Sequence, residues 1–216
     1  MRVAGVDGCP GGWVAVVLDG TRLSWSLCAT ADLAALAPVV GIDIPIGLPE
    51  GREPRLADRA ARQRLPGATS RVFPTPARAM LAATSYAEAC ALSRAATGRA
   101  VSHQTWHITT KIAEVDLAVR SGAPLVEVHP EVSYAAMTGR VLPSKKTPAG
   151  RSARHAALAG WLGAPVGLPT LRPARVDDLL DALACAWTAE RWSRGEAEVL
   201  GGADLDGYGT PQRIVV

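Results

Sequence analysis

Residues 1–28 read MRVAGVDGCPGGWVAVVLDGTRLSWSLC, and this stretch decides the fold class. Residues 2–7 are an apolar run that ends at an acid, which predicts a buried strand. Gly8-Cys9-Pro10-Gly11-Gly12 is dense in glycine and proline and predicts a turn. Residues 13–18 (WVAVVL) predict a second strand, and Asp19-Gly20 is a strong two-residue hairpin signal. Residues 22–28 (RLSWSLC) alternate in polarity as a third strand with one exposed face. The chain therefore opens as a three-stranded antiparallel meander.

The pattern then changes. Residues 31–37 are Ala- and Leu-rich and predict a short helix. Residues 39–44 (VVGIDI) predict a fourth strand, stopped by Pro45 and Pro49. A helix between strands three and four permits a parallel return beside the first strand. Helices are expected over 54–65, 77–97 and 103–121, with Ser102 as N-cap and Gly122 as the stop of the last. Residues 125–129 (LVEVH) alternate as a fifth strand. Shorter helices are expected over 131–138 and 151–162, and a final one over 177–194. The segment 143–150 is polar and rich in Pro and Gly, which suits a mobile loop. Residues 211–216 are expected to add an edge strand. The class is α/β: a mixed five-stranded sheet flanked by helices, in one domain over 1–216, with a helical insert at about 50–123 between strands four and five.

Composition narrows the function. The chain has 216 residues, 48% hydrophobic and 20% charged, which excludes wholesale disorder. No apolar run approaches the ~20 residues of a membrane helix, so no membrane partner is expected. Cys9, Cys28, Cys90 and Cys185 lie far apart with no C-x-x-C pair. Reduced thiols and a cytoplasmic location are the simplest expectation. The net charge of +3 hides alternation. Residues 51–79 hold 7 Arg against 2 acids, residues 138–176 hold 7 basic groups and no acid, and residues 177–216 hold 3 basic and 8 acidic groups. Basic blocks beside carboxylates suit a polyanionic partner such as nucleic acid, and equally describe solvated helix faces.

Four acids stand at element ends. Asp7 ends the first strand and Asp43 lies in the fourth. If those strands are parallel neighbours, both emerge at one end of the sheet. Asp178 and Asp181 are three apart and share a face near the start of the last helix. Converging carboxylates repel unless a cation lies among them, and Mg²⁺ or Mn²⁺ suits an all-oxygen site. The plainer readings are a turn start for Asp7 and an N-cap for Asp177 or Asp178. Asp43 among five aliphatic neighbours is costly to bury unpaired.

GVDGCPGGWVAV (5–16), IDIPIGLP (42–49), Ser102-x-Gln104 ahead of KI-x-EVD (111–116), EVHPEVSY (127–134) and DDLLDALACAWTA (177–189) together resemble the DUF429 family, described as predicted RNase H-like nucleases. The last block is also similar to the final helix of RuvC-type resolvases. The resemblance implies an RNase H-like sheet of order 3-2-1-4-5 and a divalent-metal-dependent nuclease that hydrolyses a phosphodiester with two metal ions. It implies Asp7, Asp43, Asp178 and Asp181 as metal ligands, although a resolvase has Glu in the place of Asp43. The long helical insert departs from a minimal RNase H fold and would cap the site, so a small phosphorylated ligand is the alternative substrate. A non-catalytic interaction module on the same fold is the third reading.

Other motifs supply further candidates. Gly8, Gly11 and Gly12 would let a substrate backbone approach closely, or simply form a hairpin turn. Glu127 and His129 share a strand face, as extra ligand and general acid or base, or as a pair fixing the strand end. His103, His107, Lys111 and Glu114 recur along one helix face. With Gln104 this face turns either to the active-site cleft or to solvent. Arg52, Arg55, Arg59 and Arg62 form a predicted helical stripe. With Arg71, Arg78, Lys145, Lys146, Arg151 and Arg154 they are candidates for phosphate contact. A homodimer is the default expectation for assembly.

Overall fold

The computed structural model describes all residues, 1–216. Strands β1 (Arg2–Cys9), β2 (Gly12–Asp19) and β3 (Arg22–Cys28) form the antiparallel meander. β1 and β2 run farther than predicted, because the turn between them is only Pro10-Gly11, with Gly11 at φ +78°. Proline followed by a positive-φ glycine is the chemistry of a tight type II turn. A short 3-10 helix (Thr30–Ala35) leads to β4 (Val40–Ile42), which pairs parallel with β1. β5 (Leu125–Glu127) pairs parallel with β4. The sheet order is β3-β2-β1-β4-β5, the RNase H-like topology.

Between β4 and β5 lie helices α1 (Leu56–Gln63), α2 (Tyr86–Thr97) and α3 (His103–Arg120). After β5 come α4 (Pro130–Thr138), α5 (Pro148–Leu162) and α6 (Val176–Ser193). Three expectations need correction. The helix predicted over 77–97 is two elements, a 3-10 turn at Arg78–Ala82 and then α2, because the Ser85 side chain accepts the Glu88 N–H and starts a new helix. The arginine stripe is not one helix face: α1 begins at Leu56, Arg52 lies outside it, and Arg55 is its buried N-cap. The C-terminal segment does not join as a plain edge strand. β6 (Val199–Leu205) and β7 (Pro211–Val215) form their own antiparallel pair, which touches the main sheet through a parallel bridge between Val128 and Val215.

Both faces of the sheet are covered at β1, β2 and β4, which is why these strands read as apolar runs, whereas the edge strand β3 alternates. Ala4, Val6, Trp13, Ala15 and Ile42 face a core completed by Ile112 and Val115 of α3. Val14 and Val16 face the opposite core with Leu179, Leu180, Leu183 and Ala186 of α6 and Leu158 of α5. Gly5 and Gly41 lie on that second face. A Cβ on Gly5 would come within 2.0 Å of the Ala182 carbonyl, and one on Gly41 within 2.4 Å of the Cys185 carbonyl. The α6 backbone therefore rests directly on β1 and β4. No helix is long and apolar enough to cross a membrane.

Candidate metal centre

Side chains on a strand alternate between faces, so residues two apart share one. Gly5 and Gly41 touch α6, and Asp7 and Asp43, two residues on, project over that same face. Val6 is paired with Ile42, so Asp7 and Asp43 fall in step on neighbouring strands, about 4.8 Å apart along the hydrogen-bond direction. The Asp43 N–H donates to the Val6 carbonyl at 3.1 Å. Asp43 lies one residue past β4, not within it as the sequence suggested, and Asp7 lies two residues inside β1. α6 runs antiparallel to β1: Ala189 packs near Val3, and Ala182 and Ala186 lie against Gly5. One turn toward the start of α6, Asp178 and Asp181 therefore reach the Asp7 and Asp43 end. The repeated Gly-x-Asp of residues 5–7 and 41–43 is the sequence signature of this arrangement.

The electrostatics agree with convergence. Burial raises the Asp7 carboxyl well above its usual range, and Asp43 and Asp181 push it further. Burial lifts Asp43 to about 6 against the pull of the Lys145 ammonium. Burial likewise lifts Asp181 to about 7, with Lys145 again opposing and Asp43 adding repulsion. Asp178 is partly committed: its Oδ2 accepts the Arg175 N–H at 2.8 Å, which ties down the first turn of α6. Neither Asp177 nor Asp178 is the N-cap expected from the sequence: α6 starts at Val176, so Arg175 holds that position, and Asp178 lies at the third helical residue and reaches back to the Arg175 N–H.

Lys145 is the cation of this cluster. Its Nζ donates to Asp181 Oδ2. Burial pulls the ammonium down, but Asp181, Asp7 and Asp43 outweigh that and hold it above its ordinary value. The segment expected to be a mobile loop is instead anchored. Arg154 is fully buried and donates to the carbonyls of Pro143 and Gly150, and Thr147 caps α5 by accepting the Gly150 N–H. α5 therefore starts at Pro148, three residues before its predicted start. Arg154 also pairs with Glu131, which pairs in turn with Arg71. Glu131 ties the Lys145 segment to α4 and was not singled out for any such role. Its position just after Pro130, in the first turn of a helix, was the signal available.

The remaining candidates are distributed around this centre. Glu127 is buried, and Arg55 grips both its carboxylate oxygens, at 2.6 and 2.7 Å; Glu127 Oε2 also accepts the Ile46 N–H at 2.7 Å. Arg55 further pairs with Asp58, a buried triad that links α1 to β5. His129 Nε2 lies 3.3 Å from the Arg71 carbonyl, and its Nδ1 is buried without a partner. Burial holds this imidazole below its usual range. Glu127, His129 and Asp43 line one small cavity of about 20 Å³. Gly8, Gly11 and Gly12 belong to the β1–β2 hairpin, and Lys111 donates to the Gly12 carbonyl with its ammonium over the Trp13 ring. On the α3 face only Lys111 is turned partly inward; Glu114, which accepts from Thr30, and Gln104 are exposed. Arg78 binds Glu50, Asp116 and Asp206, so its guanidinium is committed internally, as is that of Arg71. Lys146 is exposed, and Arg151 donates to the carbonyls of Lys145 and Lys146.

As the side chains stand, no three His, Cys, Asp or Glu groups are disposed around one ion position. The donor set nevertheless fits a hard divalent ion. It is all oxygen, it is crowded enough to resist ionisation, and Asp181 Oδ1 is buried with no hydrogen-bond partner. None of the curated proteins matches the chain. Among solved structures it is similar to RuvC of Thermus thermophilus, alone and in complex with a Holliday junction substrate. Each match has 14% identity and a TM-score of 0.41; each covers 91% of this chain, and 98% and 97% of the respective RuvC chains. The profile of the protein family of unknown function DUF429 matches residues 5–205, and the chain belongs to that family.

Proposed function

We propose that this protein is a divalent-metal-dependent phosphodiesterase acting on nucleic acid. The observation that carries the reading is the convergence of Asp7, Asp43 and Asp181 at one end of the sheet, with raised carboxyl pKa values and Lys145 as the only cation among them. Asp7, Asp43 and Asp181 would hold Mg²⁺ or Mn²⁺, with Asp178 at the margin. Bound there, the ions would supply a water activated at neutral pH and charge neutralisation at the leaving oxygen. The chain itself supplies rigidity. α6 seated on Gly5 and Gly41 holds Asp181 against the strands. Lys145 neutralises the cluster and keeps the carboxylates together. Glu127, held by Arg55 and the Ile46 N–H, serves as a strut for the 44–48 segment that follows Asp43. His129 is the one titratable group beside Asp43 with a free ring nitrogen, and is assigned as the proton-handling group.

The test compares wild type with Asp7→Asn on labelled single-stranded, duplex, hybrid and branched nucleic acids and on mononucleotides, in Mn²⁺ or EDTA. Metal-dependent cleavage by wild type alone is the expected result. Equal Mn²⁺ binding by both proteins, with no cleavage by either, would refute the assignment. A phosphohydrolase of small ligands is the second reading. Turnover confined to the mononucleotides would select it.

A further inference from the structure

A second cavity, of about 450 Å³, lies outside the acid cluster, between the loop that precedes α1, the Pro74–Pro76 segment and the turn from α2 to α3. Its volume falls within the ~300–1,000 Å³ usual for small-molecule sites. Its lining carries three arginines (Arg52, Arg62 and Arg99) and one carboxylate, Glu53. The guanidiniums of Arg52 and Arg99 make no ion pair or hydrogen bond within the protein. Arg62 spends Nε and Nη2 on the Val72 carbonyl and keeps Nη1 free. Elsewhere in the fold the arginines beside functional elements are consumed internally, as Arg55, Arg71, Arg78 and Arg154 all are. An uncommitted cluster around a hollow is therefore unusual for this molecule.

The walls are stiff. Pro49, Pro54, Pro74 and Pro76 line one side, and their fixed φ angles leave little entropy to lose when a ligand docks. On the other side the hydroxyls of Ser93 and Thr97 both donate to the Arg99 carbonyl, which pins the turn that presents its guanidinium. Unpaired, forked guanidinium donors are suited to phosphate. A lone phosphate would leave much of 450 Å³ empty, whereas proline rings and Val101 offer flat apolar surface for a sugar or base. Thr75 lines both this cavity and the small one at Asp43, so the two adjoin.

We propose that this cavity binds a nucleoside phosphate, either a free nucleotide or one nucleotide of a single strand. Its role in presenting the adjoining strand to the acid cluster rests on the phosphodiesterase reading; the binding itself does not. The experiment titrates adenosine 5′-monophosphate and an eight-residue oligothymidylate into the full chain by calorimetry in EDTA, so that the acid cluster contributes no metal. Wild type, R52A/R99A and a charge-matched control, R22A/R172A, are compared over a range of salt. The Arg52 and Arg99 guanidiniums make no ion pair or hydrogen bond within the protein, so the cavity variant should fold. The expected result is binding by wild type and the control. R52A/R99A should bind at least tenfold more weakly, with the salt slope for the oligonucleotide reduced by about 1.4, two phosphate contacts' worth on a single strand. Saturation by the monophosphate identifies a free nucleotide, and saturation by the oligonucleotide alone identifies a strand. Absence of binding by wild type, equal binding by R52A/R99A, or equal loss in the control would each overturn the site. Cleavage that survives R52A/R99A unchanged would remove the role in presenting a strand, while leaving the phosphodiesterase and the binding read by calorimetry intact. Asp43→Asn that binds normally but does not cleave would support both.

Discussion

Replacing Asp43 with Asn should stabilise the protein at alkaline pH. In the folded state burial lifts the Asp43 carboxyl to about 6. An unfolded Asp titrates near 3.9, so the gap is about 2 pH units, or about 3 kcal/mol at 1.36 kcal/mol per unit. Asp43 keeps some contact with solvent, which reduces the usable figure to about 1–2 kcal/mol. The folded value lies above the unfolded one, so folding takes up a proton between them. The favourable contribution is complete below about pH 4, declines as pH rises, and is gone above about pH 6. Asn cannot ionise and escapes that decline. With about 2–4 °C per kcal/mol for a chain of this size, Asp43→Asn should melt about 2–8 °C above wild type at pH 8 and close to it at pH 4. The assay is thermal and urea denaturation from pH 4 to pH 8.5 in EDTA. Mn²⁺ should then raise the wild-type midpoint more than that of the variant, because an ion bound only to the native state stabilises it. A variant that melts at or below wild type at pH 8 would refute the claim that burial holds the Asp43 carboxyl above its ordinary value.

Lys145→Met should destabilise at pH 8 by about 1–3 kcal/mol, below the ~3–5 kcal/mol of a fully buried broken pair because the Lys145 side chain is 38% exposed. The loss should shrink at pH 5.5, where Asp181 is protonated, and Mn²⁺ should bind this variant more tightly; urea melts and calorimetry check both. Gly5→Ala places a Cβ 2.0 Å from the Ala182 carbonyl and 2.2 Å from the Ala186 N, both main chain of α6, and should cost more than about 4 kcal/mol. Gly51→Ala, with no atom within 4 Å, should be nearly neutral in the same expression and melting assay. Arg55→Met strands Glu127 and Asp58 without their cation and should cost about 3–5 kcal/mol by urea denaturation. A loss under 1 kcal/mol would mean the triad does not hold α1 to β5.

The sheet was legible because its signals are local. An acid-ended apolar run, a Pro-Gly turn, an Asp-Gly turn and an alternating strand each act over fewer than ten residues. The sheet order was implied by the family resemblance and is the order observed. The approach of Asp7 and Asp43 followed from parallel strands, and the shared face of Asp178 and Asp181 from the helical repeat. What stayed hidden depends on distant partners. Lys145 meets Asp181 across 36 residues, and Arg55 meets Glu127 across 72. Periodicity assigned Arg55 to an exposed stripe, but at an N-cap the helical repeat no longer governs where a side chain points. The strand at 211–215 was legible, but its partner β6 escaped because Gly201 and Gly202, both at positive φ, interrupt the alternation that marks a strand. The split at Ser85 was masked by alanines and leucines that suit a helix on either side of it.

The two glycines beneath α6 bear on how such a chain could change over time. Each stands two residues before an acid, and the two positions answer to different demands. The glycine is required by the shape of the molecule, whatever the molecule does. The acid destabilises that same shape above neutral pH and is useful only if a cation is to be gathered there. A descendant with no cation to gather there would therefore shed Asp7 and Asp43 readily, gaining stability with each step, while Gly5 and Gly41 stayed in place. Gly-x-Asp written twice, as it is here, marks a chain still accepting that instability.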